Sequence, residues 1–121
     1  MARNSYAIFG LGSFGSKLAL ELSKAGNTVL ACDINPQRVD EMRDKVTQAV
    51  IADVSSEETV KELNVAKFDA VILGMSSYFE KQILALTLLK QEGVRRVLAK
   101  ANTSIQEKIL YRLGEIGRAH V

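Results

Sequence analysis

The stretch Gly10-Leu11-Gly12-Ser13-Phe14-Gly15 has the spacing of a phosphate-binding turn. It directly follows an apolar run, Tyr6 to Phe9, and opens a helix-like segment. That context matters, because the bare glycine pattern is weak. Gly10 allows the tight turn, Gly12 leaves the backbone open to a pyrophosphate, and Gly15 lets helix and sheet pack closely. Leu11, Ser13 and Phe14 complete the loop. The helix start then offers unpaired N–H groups and a partial positive charge to phosphates. Asp33 ends the next apolar run, 18 residues after Gly15. A carboxylate there accepts hydrogen bonds from ribose hydroxyls, so the set predicts dinucleotide or adenine-nucleotide binding. The competing structural reading is a glycine turn with an aspartate capping the following helix.

Asp33 also discriminates between ligands. A 2′-phosphate would face its negative charge, and the next residue is Ile34 rather than a phosphate-binding arginine. NADP is therefore disfavoured. Arg38, one helical turn on, either stacks on an adenine or faces solvent. Asp53 ends the third apolar run and reaches toward the adenine or ribose with Val54 beneath the base; alternatively it is a charge before the helix at Ser55. Gly74-Met75-Ser76 follows the fourth run on the side where ligands bind such sheets. Lys100 ends the fifth run and is the candidate cation for a phosphate; otherwise it is a surface lysine. His120 stands one residue from the end, and Cys32 lies within an apolar strand, where a core role outweighs a nucleophilic one. No Cys/His metal spacing and no Ser-His-Asp set is present.

Five apolar runs must carry these residues: 6–9, 28–32, 49–52, 70–73 and 97–99. They are apolar throughout, as in strands covered on both faces of a parallel sheet. Helices alternate with them. The first carries Phe14, Leu18 and Leu22 on one stripe and ends at Gly26. The second starts at Asn35-Pro36, an N-cap with proline at N1. The third starts at Ser55 with Glu58 in a capping box, and the fifth near Ser104 with Glu107, ending near Gly114. The fourth runs from Phe79 to Gln91. This order predicts a Rossmann-like, doubly wound α/β sheet with strand order 3-2-1-4-5. Ile83, Leu84, Ala85, Leu86, Leu88 and Leu89 cover most of helix 79–91, more than one stripe needs. The surplus predicts a self-association surface, against a deeply buried helix in a monomer.

Composition sets the outer bounds. The 121 residues predict one domain, with 47% hydrophobic and 25% charged residues. That excludes a disordered tail, a collagen-like fibre and a disulfide-rich mini-protein. A single cysteine cannot form an internal disulfide and suits a reducing compartment. The apolar runs are too short to cross a bilayer, and no signal peptide is read at the N-terminus. Residues 1–60 carry 6 basic and 8 acidic side chains, and residues 61–121 carry 10 and 6. This swing, without interleaved aromatics, predicts no nucleic-acid partner.

The ordered segments YAIFGLGSFGSKLALEL, VLACDINPQRVDEM, TQAVIADVSSEETVKEL, FDAVILGM and VLAKANTSIQEKILYRLG carry a family resemblance. The chain resembles the RCK domain, also called the TrkA N-terminal domain, of the cytosolic regulatory subunits of bacterial Trk and Ktr potassium-uptake systems. The resemblance implies a non-enzymatic regulator, peripheral to the inner face of the cell membrane. It implies rings beneath an integral-membrane potassium transporter subunit, reshaped by nucleotide exchange. It assigns Gly10, Gly12 and Gly15 to the phosphates, Asp33 to the ribose, and Asp53 with Val54 to the adenosine. Gly74 and Met75 become the loop over the nucleotide, and Lys100 the lysine after the fifth strand. It also places helices four and five in assembly. Ktr-type members often carry arginine where Ser13 stands, reaching the terminal phosphates of ATP. Losing that charge-assisted hydrogen bond costs roughly 1.5–3 kcal/mol, which favours NAD or NADH over ATP or ADP. Residues 1–114 are the expected nucleotide subdomain. Residues 115–121 do not resemble the family's continuation and read as a truncated or artefactual end. The alternatives are the cofactor domain of an NAD-dependent oxidoreductase and the nucleotide-sensing domain of a cation–proton antiporter.

Overall fold

The computed structural model describes residues 3–75 and 77–113. The expectations for Ser76, for the end of the fifth helix at Gly114, for the 115–121 tail and for His120 fall outside them. Five strands, β1 (Ser5–Phe9), β2 (Thr28–Asp33), β3 (Gln48–Ile51), β4 (Ala70–Leu73) and β5 (Val97–Ala99), form one parallel sheet in the order β3-β2-β1-β4-β5. This is the expected Rossmann-like topology. Five helices alternate with them: α1 (Ser13–Lys24), α2 (Pro36–Met42), α3 (Glu57–Glu62), α4 (Phe79–Gln91) and α5 (Ser104–Leu113). No helix among the described residues is long and apolar enough to cross a membrane.

The continuous apolar runs have the expected cause. In β1, Ala7 and Phe9 enter one core and Ile8 the other. In β4, Val71 and Leu73 divide from Ala70 and Ile72 in the same way. The first core also contains Val60, Leu86, Leu89 and Leu110 from α3, α4 and α5. The second holds Ala19, Val39 and Met42 from α1 and α2. β3 is an edge strand, so Ile51 is exposed despite its apolar neighbours.

Helix ends follow local chemistry. α1 closes through Gly26 at φ +94°, with Gly26 N–H donating to Ser23 and Asn27 N–H to Leu22. α4 closes the same way through Gly93. Both are Schellman closures, which require a left-handed residue. Asn35 caps α2 as expected, its side chain accepting from Gln37 N–H. α5 begins at Ser104 as expected, but two caps are displaced by one residue. The α3 cap is Ser56 rather than Ser55, because Asp53 binds both the N–H and the hydroxyl of Ser55 in an Asx turn. At α5 the hydroxyl of Thr103 accepts from Gln106 N–H, so Thr103 and Gln106 replace Ser104 and Glu107 as the capping pair.

The apolar surplus of α4 is mostly internal. Ala85, Leu86 and Leu89 are buried, Phe79, Ile83 and Leu88 pack partly against the same core, and Leu84 remains 48% exposed. The first helix departs from its expected stripe. Leu18 and Leu22 pack on the core, but Phe14 lies beyond the strand ends and is exposed.

Candidate nucleotide-binding site

A cavity of about 470 Å³ opens at the carboxyl ends of the strands, beside β1, where the direction of strand addition reverses. Gly10, Gly12 and Ser13 line it from the first turn, Asp33, Ile34 and Arg38 from the β2–α2 segment, Asp53 and Val54 from the end of β3, and Gly74 and Met75 from the end of β4. The fold thus gathers ten of the expected site residues around one space.

The turn is built by close contacts. Gly10 has φ +100°, and a Cβ there would lie 2.7 Å from Met75 Cγ. A Cβ on Gly15 would lie 1.8 Å from the Gly10 carbonyl oxygen, so no side chain fits. Gly12 differs: the nearest atom to a Cβ there is Arg38 Nη1, at 4.0 Å. The space beside Gly12 is therefore open from the cavity side. Gly12 is also the α1 N-cap, makes no side-chain cap, and is followed by no acidic residue in the first turn. An uncapped helix start with positive partial charge faces the cavity. Those features fit the diphosphate of a nucleotide.

Asp33 is positioned by backbone donors. Leu11 N–H donates to Oδ2 at 2.7 Å, and Asn35 N–H donates to Oδ1 at 2.8 Å. This explains the role of Leu11, which is buried and makes no part of the lining. Each carboxylate oxygen keeps further acceptor capacity for hydroxyl donors. Arg38 Nη1 stands 3.9 Å from Oδ2, placing the guanidinium over the rim rather than away from the site. Asp53 Oδ1 accepts from the Ser55 hydroxyl at 2.6 Å and from its N–H at 3.0 Å. The hydroxyl bond first, then the N–H bond, holds the Asp53 carboxyl below its ordinary value; burial opposes this and Lys81 adds to it. Asp33 does not cap α2, whose cap is Asn35, but ties the glycine turn to the start of that segment, and Asp53 is the charge before α3; both residues still border the cavity. Cys32 borders the cavity at its base but has no exposed surface, and burial, then the charge of Asp33, pushes its thiol up to about 12. It is a core residue, as expected.

Four expected site residues stand outside the lining: Leu11, Phe14, Gly15 and Lys100. Lys100 Nζ instead stands 5.8 Å from the centre of the Phe14 ring and 3.5 Å from Asn102 Oδ1. The lysine in the lining is Lys81, in the first turn of α4, which joins Arg38 there together with Asn35, Ser55, Ser77 and Tyr78. None of these was singled out from the sequence as a ligand contact. For Lys81 the available signal was position, one turn into a helix that starts at the ligand side of the sheet.

Sheet order, glycine turn and carboxylate together define a Rossmann-like domain. The TrkA-N domain family model matches residues 6–118, and the chain belongs to that family. Ktr system potassium uptake protein A of Vibrio alginolyticus is 39% identical over 109 residues, covering 90% of this chain and 50% of that protein. The chain spans about half the length of the curated relatives it matches. The NAD(P)-binding domain of an exopolyphosphatase-related protein from Archaeoglobus fulgidus superposes with a TM-score of 0.85 at 24% identity, covering 98% of this chain and 88% of that one. The GsuK channel bound to NAD superposes at 0.78 and 14% identity, covering 93% of this chain and 20% of that one.

Proposed function

We propose that this chain is a nucleotide-binding regulatory domain of a potassium-uptake system, with NAD or NADH as its ligand. The observation that carries the reading is the open, uncapped start of α1 at Gly12, facing the same cavity as Asp33. In this reading the diphosphate lies on the Gly12–Ser13 backbone and Asp33 accepts from the adenosine ribose. Arg38 borders the adenine, and Asp53, Val54 and Met75 complete the adenosine side. The negative charge of Asp33 opposes a 2′-phosphate, so NADP binds more weakly. The ligand acts by population shift, binding one conformation of an assembled regulator better than another. The likeness to a Ktr potassium uptake protein supports an integral-membrane potassium transporter as partner, and with it a position peripheral to the inner face of the cell membrane. Self-association through α4 belongs to the same proposal.

The carboxylates in the lining act as fixed acceptors, Asp33 for two backbone donors and Asp53 for Ser55. Such groups suit binding better than proton transfer, which favours a regulator over an oxidoreductase. One observation supports ATP or ADP as a second reading: Lys81 brings a cation to the lining, although Ser13 carries none.

A thermal-shift panel with NAD, NADH, NADP, ATP, ADP and AMP tests both. Ligand at 100 times its Kd adds about 2.7 kcal/mol of stability. The expected result is a shift with NAD or NADH and a smaller one with NADP. A shift with ATP that disappears in Lys81→Ala would establish the second reading. No shift with any nucleotide refutes both.

A further inference from the structure

Gln82 is a fully buried polar side chain on α4, on the same helix face as the core residues Ala85, Leu86 and Leu89. An amide in such surroundings is costly unless both of its ends are hydrogen-bonded. Both are. Its Oε1 accepts from Met75 N–H at 2.9 Å, and its Nε2 donates to the Lys100 carbonyl at 2.8 Å. Met75 lines the nucleotide cavity and presses against Gly10. Lys100 is the first residue beyond β5, and its N–H donates to the Leu73 carbonyl at the end of β4. Two residues further on, Asn102 N–H donates to Gln106 Oε1 at 2.9 Å, and Gln106 N–H donates to Thr103 at the start of α5.

We propose that Gln82 is a positioning residue that couples the Met75 side of the nucleotide cavity to the β5–α5 segment. The coupling rests on the nucleotide reading above. The planar amide cannot follow a displaced Met75 without straining or breaking its bond to Lys100. A ligand that seats against Met75 therefore also selects the position of the chain leading into α5. The exposed apolar side chains Ile105 and Ile109 of α5 lie directly downstream.

Hydrogen–deuterium exchange with NAD as the probe tests this, with Kd measured by calorimetry. In the wild-type chain NAD is expected to slow exchange in both segments 74–82 and 100–107. In Gln82→Met, which keeps side-chain length and loses both hydrogen bonds, Kd rises about tenfold and the response of segment 100–107 disappears. A merely structural glutamine would lower the melting temperature but leave that ligand response in place. Wild-type protein that binds NAD without any change in segment 100–107 overturns the inference, as does a Gln82→Met response equal to wild type. The wild-type arm decides the matter if the variant does not fold. Absence of NAD binding by the wild type refutes the NAD reading and this inference together, whereas binding without transmission refutes the inference alone.

Discussion

Two glycines three residues apart, about one helical turn, make different demands, and exchanging each for alanine separates fold from ligand. At Gly12 the backbone has φ −71° and ψ −164°, which any residue adopts, and a Cβ meets nothing closer than 4.0 Å. The cost of Gly12→Ala without ligand is then the poorer N-cap, about 0.5–1 kcal/mol. The methyl group nevertheless occupies the space through which a diphosphate reaches the turn. A loss of at least about tenfold in nucleotide affinity is expected, equivalent to about 1.4 kcal/mol. At Gly15 a Cβ falls about 1.6 Å short of an ordinary 3.4 Å contact with the Gly10 carbonyl oxygen. Backbone cannot rotate away as a side chain would, so α1 must shift from the sheet. Overpacking of this kind costs about 1–3 kcal/mol or more, a fall in Tm of roughly 5–15 °C for a domain of this size. The assay is thermal denaturation without ligand, paired with calorimetric titration of NAD. Gly12→Ala should lose affinity and keep most of its stability; Gly15→Ala should lose stability first. Wild-type affinity in Gly12→Ala would refute the placement of the diphosphate at the turn. An unchanged Tm in Gly15→Ala would refute the close packing of α1 on β1.

Two further outcomes are expected. Cys32 has its folded-state pKa pushed up to about 12 from 9.0 by burial and then by Asp33; its contribution to stability is therefore complete below about pH 9 and lost as pH rises from 9 toward 12. A thiol reagent at pH 8 should leave native protein unlabelled and label it fully in denaturant; rapid native labelling would contradict the burial. Leu84 is half exposed on α4, so Leu84→Glu should change stability by less than about 0.5 kcal/mol while converting a self-associated species to monomer in light scattering. A monomeric wild type at high concentration would count against association through α4.

Much of the architecture follows from local pattern. The apolar runs of β1 and β4 read as strands covered on both faces, because consecutive strand residues point to opposite sides. Their alternation between the two cores is that expectation realised. Gly26 marked the end of α1 because the left-handed closure there strains other residues. The glycine turn and Asp33 pointed to the same cavity from 18 residues apart in the chain, since both end strands of one parallel sheet. One-residue differences at α3 and α5 arose where two neighbouring hydroxyls competed for one cap. The choice depended on what Asp53 and Gln106 bound, which the local pattern does not encode.

Residue types and periodicity alone determined the sheet, its order and the glycine turn after β1, because these depend on backbone sterics and on alternating burial. Tertiary structure decided which charges reach the cavity. Lys100 and Lys81 each follow or begin an element at the ligand side, yet only Lys81 lines the space, while Lys100 stands over Phe14. It also decided that Gln82, the polar residue of α4 that is fully buried, joins Met75 to Lys100. Those outcomes depend on side-chain reach between elements distant in the chain, and only the packed sheet sets those distances.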